Sequence, residues 1–373
     1  MVPNYLLYAA NLHVGGAVQV AASVIDALSL TPAEAAHISL LVSSEVDANV
    51  RSLGVALERF RAYAVEDHRG LRALGRNLDR ASAGAAAMLV LFGPLYQLRV
   101  RIPTIVGFAQ PWIIYPNNEI ARALPLAARL RVRIKYRLQA LFFRRADMLV
   151  VELEHVQRGL ARVGLAAGKP VQIVRNCLAA LYSQPERWQP APTLARDGSF
   201  RLGFVGRNYA HKNTRILPEV RQRLRRDHGV AVTMYVTFSA QEWDACPAQF
   251  RAEVVNVGTL NVAQCPAFYE QLDAVIFPSL LECFSAAPLE AMAMKRPLFA
   301  SDRPFNRDIC GAHAVYFDPL DAADAAARIA AFVARPEQAG AFVDAAYRHV
   351  MAMPDAAVRA QRYLDCLRLA HAA

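Results

Sequence analysis

Short apolar segments alternate with segments of helical hydrophobic spacing along most of the chain. Runs rich in Val, Ile, Leu and aromatic residues, bounded by Gly, Pro and polar residues, are typical of buried strands. The first half contains six such runs: NYLLYAA, HISLLVS, MLVLFG, PTIVGFA, DMLVVE and VQIVRN. The second half contains six more: FRLGFVG, VTMYVTF, AEVVNVG, AVIFPS, RPLFAS and AVYFDP. This alternation predicts βαβ units, and therefore parallel sheets with helices on both faces.

A segment rich in proline and polar residues, YSQPERWQPAPTLARDGS, interrupts the alternation at residues 182–199. Such composition is typical of a linker. The length of 373 residues also exceeds what one hydrophobic core usually accommodates. We therefore predict two doubly wound domains, residues 1–190 and 191–350. Residues 351–373 are predicted as a C-terminal helix, for which a return to the N-terminal domain is one placement.

The composition indicates a globular protein, since 55% of the residues are hydrophobic and 20% are charged. Six cysteines lie far apart without a Cys-x-x-Cys pair, and the first residues lack the pattern of a signal peptide. The most apolar early segment, Ala81–Tyr96, is too short to span a bilayer and is broken by Gly93-Pro94. We therefore expect a cytoplasmic protein without a disulfide framework, zinc site or transmembrane helix.

The net charge of +10 favours an acidic partner, and the densest basic stretch is Arg129–Arg145, RLRVRIKYRLQALFFRR. Helical spacing would place Arg129, Arg133 and Arg137 on one face. Four apolar residues would fall on another face: Leu130, Ile134, Leu138 and Leu141. The stretch predicts either an interfacial helix on an anionic membrane surface, at the inner face of the plasma membrane, or an ordinary solvated helix with a packed apolar side. We find no zinc finger, ribonucleoprotein sequence or helix-turn-helix, so no nucleic-acid partner is predicted.

Ligands of open parallel sheets bind outside the carboxyl ends of the strands, which directs attention to three loops. In the first, NLHVGGAVQV, His13 precedes Gly15 and Gly16 between a strand and a helix. Paired glycines let a backbone approach a ligand, and a helix N-terminus favours anions. The segment is not G-x-G-x-x-G, so a plain tight turn and a ligand loop both remain open.

The second loop, GFVGRNYAHKNTRIL, carries two cations after a strand end at Gly206. Arg207 can grip two oxygens of a diphosphate, and Lys212 can act as a point charge. The alternative is surface charge in a basic protein.

The third loop lies within LLECFSAAPLEAMA, where Glu282 and Glu290 are the only charged residues. Pro288 is typical of a first helical turn, so Ser285 is predicted as the N-cap, with the backbone N–H groups of Cys283–Ser285 at the strand end. Such a helix start could hold a diphosphate while the carboxylate within the helix accepts hydrogen bonds from a ribose. The alternative is that both carboxylates only complement the helix dipole.

These segments together resemble the family 4 retaining glycosyltransferases of GT-B fold. FPSLLECFSAAPLEAMAMKRPLFASD resembles the family's E-x7-E motif, VGRNYAHKN its basic loop and HVGG its first glycine loop. VNVGTL, with Gly258, is similar to the base-side loop. The resemblance covers most of the chain and is strongest at residues 200–335. It implies two Rossmann-like domains facing each other across a cleft, with the acceptor bound by the N-terminal domain and the donor by the C-terminal domain.

The sequence departs from the family pattern at three places. Cys283, Phe284 and Ser285 replace the usual Gly-Phe-Gly. Lys295-Arg296 takes the place of a glycine turn before Pro297. Gln110, in TIVGFAQPW, stands where many members have a histidine near the sugar.

The resemblance implies transfer of a sugar from a nucleotide sugar to an acceptor hydroxyl with retention at the anomeric carbon. Arg207 and Lys212 would stabilise the leaving diphosphate, Glu282 would contact the donor sugar, and Glu290 would hold the ribose. Further donor-binding positions are Gly206, Gly258, Cys283, Phe284 and Ser285, and the acceptor-side positions are His13, Gly15, Gly16 and Gln110. Front-face attack requires no enzymic nucleophile or dedicated base, and the absence of Asp-x-Asp agrees with a reaction without metal or cofactor.

The setting implied by the resemblance is bacterial surface-polysaccharide assembly (O-antigen, capsule or exopolysaccharide) on a lipid-linked acceptor. Three alternatives remain from other classes of protein. A GT-B nucleotide-sugar epimerase would share the fold, and a catalytically silent partner would bind nucleotide sugars without transfer. A nucleic-acid binder would explain only the charge.

Overall fold

The structure is a computed structural model that describes residues 3–75, 78–98 and 100–372. It divides into two compact units, Met1–Cys177 with Pro354–Ala373, and Leu178–Met353. The predicted boundaries at residues 190 and 350 therefore differ from these divisions. The proline-rich segment lies wholly in the second unit because its backbone is bonded there: Gln189 N donates to Ala263 O at 2.9 Å, and Leu194 N to Gln271 Oε1 at 2.9 Å.

The first unit contains a seven-stranded parallel sheet in the order β3-β2-β1-β4-β5-β6-β7. Its strands are β1 Asn4–Ala9, β2 Ile38–Val42, β3 Ala62–Val65, β4 Ala85–Val90, β5 Thr104–Gly107, β6 Met148–Val151 and β7 Val171–Ile173. Six of them were predicted from apolar runs, and the central strands among these are mostly buried on both faces. The sequence analysis missed β3, an edge strand whose side chains are mostly exposed.

The second unit contains a six-stranded parallel sheet in the order β10-β9-β8-β11-β12-β13. Its strands are β8 Phe200–Phe204, β9 Val232–Val236, β10 Val255–Asn256, β11 Ala274–Phe277, β12 Leu298–Ser301 and β13 Val315–Phe317. All six coincide with predicted runs. The four residues of β11 are buried on both faces of the sheet, as their unbroken apolar run indicates.

Helices connect the strands of both sheets. In the first unit they are α1 Gly16–Ser29, α2 Pro32–Ala35, α3 Ser44–Ser52, α4 Asp79–Ser82, α5 Pro111–Ile114, α6 Glu119–Ala123, α7 Leu126–Phe143, α8 Glu154–Arg162 and α17 Ala356–Ala372. In the second unit they are α9 Leu217–His228, α10 Ala240–Asp244, α11 Ala248–Glu253, α12 Cys265–Gln271, α13 Ala287–Ala293, α14 Pro304–Cys310, α15 Ala322–Val333 and α16 Pro336–Met351. None of the helices in the described ranges is long and apolar enough to cross a bilayer.

The strand order reverses once in each sheet, between β1 and β4 in the first and between β8 and β11 in the second. At such a switch point the loops that follow the two central strands diverge to opposite faces and leave a crevice for a ligand. The predicted site residues of the second unit lie in the segments that follow β8 and β11, except Gly258, which follows the edge strand β10. The topology therefore brings the segments after β8 and β11 to one place.

The C-terminal helix α17 packs on α1 and on β4 in the first unit. Arg359 is 2% exposed and donates to Ser23 Oγ at 2.8 Å and to Asn176 Oδ1. Asn176 follows β7, so this guanidinium ties the last helix to both ends of the first unit's chain. Removal of the Arg359 side chain would take a donor from two buried or half-buried polar groups, and a buried polar group left without a partner costs about 1–3 kcal/mol.

Glu152 lies near Arg359 and makes the stability of the first unit depend on pH. Burial raises the pKa of this carboxyl from 4.5 to about 7, although the Arg359 charge acts to lower it. Between these values the folded chain binds more protons than the unfolded chain, so the free energy of unfolding falls as pH rises from 4.5 to 7. At about 1.4 kcal/mol for each pH unit, the loss is on the order of 3 kcal/mol.

We expect Glu152→Gln to remove this loss, because the amide does not ionise. Urea unfolding of both proteins at several pH values would measure it, and the free-energy difference between them isolates Glu152 from every other titrating group. The same decline in both proteins would show that Glu152 does not cause it.

Candidate functional site

The loops that follow β8 and β11 meet at the switch point of the second unit. Leu280 N, in the loop after β11, donates to His211 O, in the loop after β8, at 2.7 Å. This backbone bond places Lys212 beside Glu282, although the two residues are far apart in sequence. Two segments that the sequence analysis singled out separately thus form one cluster.

Lys212 and Glu282 form a largely buried ion pair at the centre of this cluster. Lys212 Nζ lies 2.7 Å from Glu282 Oε1, and the two side chains are 15% and 11% exposed. The ammonium group also lies 4.9 Å from the centroid of the Phe277 ring, at the end of β11. Burial lowers the pKa of the neighbouring His211, whose Nε2 is 3.7 Å from the same carboxylate oxygen. Burial therefore favours the neutral form of His211, and the ion pair of Glu282 is made with Lys212.

Arg207 is held in place by Glu242, a residue that the sequence analysis missed. Arg207 Nε lies 2.8 Å from Glu242 Oε1, which also accepts from Asn208 N at 3.1 Å. Burial acts to raise the pKa of Glu242, but hydrogen bonds from Ser239 and Arg207 hold it below its ordinary value. Because Glu242 engages only Nε, the terminal guanidinium nitrogens remain able to donate to an anion.

Glu290 lies in α13 and is held by a tyrosine of α12. Tyr269 donates its hydroxyl proton to Glu290 Oε2 at 3.0 Å. Burial raises the pKa of Glu290, while the hydrogen bond from Tyr269 and the charge of Lys212 act to lower it. The positive charge of Lys212 therefore acts on both Glu282 and Glu290. No local signal identifies Tyr269, since it is one aromatic residue in an ordinary amphipathic helix.

The predicted N-cap of α13 is wrong. Ala286, not Ser285, is the N-cap, and no side chain caps the helix, although Pro288 lies in the first turn as predicted. The loop before α13 is instead anchored from β12: Ser301 Oγ donates to Ser279 O at 2.6 Å. Cys283 and Ser285 are buried and Phe284 is half-buried, so the side chains of Cys283 and Ser285 pack the loop where the resembling motif has glycines.

Two predicted glycines adopt backbone conformations that favour glycine. Gly206 has φ 146°, and its N–H donates to Thr237 Oγ1 at 3.0 Å. Gly258 has φ 84° and borders open space where a Cβ would lie. Lys295, where the resemblance places a glycine, has φ 52°. A side chain in this left-handed region costs roughly 1–2 kcal/mol, and the ion pair with Asp344 at 2.8 Å offsets part of that cost.

The acceptor-side residues of the prediction lie at the carboxyl edge of the first unit's sheet. Gly15, with φ 72°, caps α1, and Gly16 begins it. Gln110 follows β5 and is the N-cap of α5, without a capping bond from its side chain. His13 Nδ1 lies 2.8 Å from Glu45 Oε2, and its Nε2 lies 3.3 Å from His68 O.

His13, Glu45 and Asp67 form the one group of three or more potential metal ligands found in residues 3–75, 78–98 and 100–372, with ligand atoms within 4.8 Å of one another. Both carboxylates already have partners: Arg69 Nη2 lies 3.1 Å from Glu45, and Ser44 N donates to Asp67 at 3.0 Å. The hydrogen bond from His13 lowers the pKa of Glu45 to about 2. These contacts account for the three residues as a network of ion pairs and hydrogen bonds. That the reaction needs no metal stays a prediction.

Residues 199–335, which contain the cluster around Lys212, match the model of a family described as "Glycosyl transferases group 1". No curated protein matches the sequence significantly.

The whole chain is similar to several solved structures at low sequence identity. Sucrose-phosphate synthase from Thermosynechococcus elongatus is 14% identical, with both chains covered fully and a TM-score of 0.70. HepE of Anabaena in complex with UDP-glucose is 12% identical over 98% of this chain and 99% of that chain, with a TM-score of 0.72. The UDP-forming α,α-trehalose-phosphate synthase from Burkholderia vietnamiensis is 12% identical over 100% of this chain and 98% of that chain, with a TM-score of 0.65. This likeness confirms the predicted two-domain, Rossmann-like GT-B fold.

Proposed function

We propose that the protein is a glycosyltransferase that moves a sugar from a nucleotide sugar to an acceptor hydroxyl. The observation that carries the proposal is the ion pair of Lys212 with Glu282 between the loops that follow β8 and β11, with Glu290 close enough to feel the Lys212 charge. Arg207 lies on the same loop as Lys212. The family match over residues 199–335 and the GT-B neighbours support this class of reaction. HepE has been solved with UDP-glucose, and the trehalose-phosphate synthase is named as UDP-forming.

Departure of a nucleoside diphosphate develops negative charge on its terminal phosphate. Arg207 and Lys212 supply fixed cations on the loop that follows β8, and preorganised charges of this kind stabilise a transition state more than a ground state. Lys212 has three N–H donors, so it can keep its contact with Glu282 and still donate to a phosphate oxygen. Glu282 thereby positions the ammonium group and contributes an acceptor for a donor-sugar hydroxyl.

Glu290 has the chemistry required for a ribose. Its carboxylate accepts from Tyr269 through one oxygen, which leaves acceptor capacity for two vicinal hydroxyl groups. Burial raises the pKa of Glu290, and the nearby Lys212 charge opposes that rise. Gly258, which follows the short strand β10 and lacks a Cβ toward open space, is proposed to border the base.

We further propose retention at the anomeric carbon, as in the family 4 enzymes whose E-x7-E motif Glu282 and Glu290 resemble. In front-face attack the departing phosphate takes the acceptor proton, so no residue needs to act as a nucleophile. The proposed acceptor is a lipid-linked glycan of bacterial surface-polysaccharide assembly, used at the cytoplasmic face of the membrane. Proton NMR of the product would show its anomeric configuration, and incubation of the donor without acceptor would reveal an epimerase instead.

We expect a nucleoside diphosphate to stabilise the protein and Glu290→Gln to weaken its binding by about 10- to 150-fold, because hydrogen bonds to a charged group contribute about 1.5–3 kcal/mol. A thermal-shift panel of nucleoside diphosphates would measure the binding, since a ligand at 100 times its dissociation constant adds about 2.7 kcal/mol of stability. A 2′-deoxynucleoside diphosphate should bind the wild-type protein more weakly than the ribose form. The Glu290→Gln change should lower its affinity only a little further.

Glu219→Gln is the matched control, since Glu219 also lies in the first turn of a helix, α9, and is exposed. If both variants bind the ligand equally well, Glu290 only complements a helix dipole. Absence of binding by every nucleoside diphosphate would contradict the proposed function itself.

A further inference from the structure

Helix α7 turns a row of large apolar side chains toward solvent. The exposed fractions are 83% for Leu126, 58% for Leu130, 58% for Ile134, 38% for Leu138 and 55% for Leu141. We call these five residues the apolar row. In the part of the chain that the structure describes, no other helix exposes more than two large apolar side chains. The apolar face predicted from the spacing of Leu130, Ile134, Leu138 and Leu141 is therefore not the packed side of the helix.

The apolar row faces away from the protein body. At about 100° per residue its five members fall within an arc of roughly 120°. Val132, Tyr136 and Phe143 lie on the opposite side of the helix. Phe143 is fully buried, and the Tyr136 ring stacks on Trp112 with 5.5 Å between centroids. The packing of that side determines the orientation of α7 and leaves the apolar row without a partner in the described chain.

Basic side chains flank the apolar row on both sides. Helix α7 contains five of them and no acidic residue: Arg129, Arg131, Arg133, Lys135 and Arg137. Arg129 is half-buried and the other four are exposed. Within the described residues none of the five forms an ion pair with a carboxylate, in contrast to most arginines of α9. The positive charge around the apolar row is therefore not neutralised by the protein.

A groove beside the helix adds a second basic feature. It has a volume of about 330 Å³ and lies between α5, α6, α7 and the segment that follows α8. Arg129, Arg133, Arg137 and Arg144 line it, together with Trp112. Guanidinium groups around an aromatic floor can hold a phosphate beside an apolar surface.

We propose that α7 docks the protein on a bilayer that contains anionic lipids. The apolar row enters the boundary between headgroups and acyl chains, and the flanking basic side chains contact lipid phosphates. Charge complementarity selects this partner over a second copy of the chain. Two α7 surfaces packed face to face would bring ten basic side chains together without a carboxylate. The inference does not rest on glycosyl transfer, since it uses only the surface of the first unit.

Sedimentation with phospholipid vesicles tests the proposal on the full chain at physiological salt. We expect binding to vesicles of phosphatidylcholine with phosphatidylglycerol, and little binding to phosphatidylcholine alone. The variant Arg131→Gln/Arg133→Gln/Arg137→Gln should bind on the order of 100-fold more weakly, at about fivefold for each charge. The variant Leu130→Gln/Ile134→Gln/Leu141→Gln keeps the basic side chains. It should still lose most of its binding to anionic vesicles, without a change in the midpoint of thermal unfolding.

The control variant Leu30→Gln/Leu320→Gln/Leu369→Gln removes equally exposed apolar groups, with exposed fractions of 70%, 55% and 53%, from other surfaces. It should bind vesicles as the wild-type protein does.

Failure of the wild-type protein to bind anionic vesicles would overturn the proposal, as would an equal loss of binding in the control variant. A dimer that dissociates in the Leu130 variant would show that a second copy covers the apolar row. Binding of nucleoside diphosphates stays intact in every variant, which separates this result from that of the proposed function.

Discussion

Replacement of Lys212 by methionine is expected to lower turnover by about 10²–10³-fold at saturating donor. The variant removes a charge placed where negative charge develops on the leaving diphosphate, and loss of one such preorganised donor typically has this effect. Methionine keeps much of the side-chain volume against the Phe277 ring, over which the ammonium group lies. Steady-state rates with a nucleotide sugar that binds in the thermal-shift panel would measure the loss.

The same variant leaves Glu282 largely buried without its cation. Such a loss can destabilise a protein by about 3–5 kcal/mol, which by itself would lower activity. The double variant Lys212→Met/Glu282→Gln removes both charges of the pair. We expect it to recover most of the thermal stability and none of the turnover. If the double variant regains near-normal rates, Lys212 only neutralises Glu282 and takes no part in the reaction.

Arg207→Gln is expected to lower turnover by about 10²-fold or more while the thermal midpoint stays close to that of the wild-type protein. The rate effect follows from the same loss of charge on the leaving group. The small effect on stability follows from exposure, since the Arg207 side chain is 52% exposed and exposed ion pairs contribute little. Turnover and thermal unfolding measured on the same preparation would separate the two effects.

Arg328→Gln provides the matched control for Arg207. Arg328 is 58% exposed and pairs with Asp324 at 3.1 Å on α15, so it loses a comparable ion pair away from the loops after β8 and β11. It should keep the wild-type rate. Equal rates in Arg207→Gln and Arg328→Gln at saturating donor would assign Arg207 to the surface charge of a basic protein.

Local sequence was sufficient for the parts of the fold that are buried on both faces. The six strands of the second unit and six of the seven in the first were predicted, because each coincides with a short apolar run, including the edge strands β7, β10 and β13. β3 was missed because its run, AYAV, is short and half alanine, and its side chains are mostly exposed. Ser285 was wrongly predicted as an N-cap because residue type indicates capping ability, whereas the bond from Ser301 to Ser279 decides the course of the loop.

The residues of the candidate site were proposed from the sequence, and the tertiary structure supplied their contacts. Arg207, Lys212, Glu282 and Glu290 were selected because strand-end loops of parallel sheets collect ligand-binding residues, and their role stays a prediction. Their partners Glu242, Tyr269 and His211 were not identified. Each of these belongs to an element that is ordinary when considered alone. Only the packing of α10, α12 and the β8 loop around the switch point gives them a role.

The sequence by itself determined the strand and helix pattern, the position of the charged loops and the amphipathic spacing of α7. These properties are periodic or local, so they follow from residue type and spacing. The tertiary structure alone decided which charges meet and which face of α7 is buried. Lys212 reaches Glu282 because Leu280 bonds to His211 across two loops, and Tyr136 rather than Leu130 packs inward because Trp112 lies beneath it. Such contacts join residues that are remote in sequence. They stabilise the protein only after folding has brought those residues together.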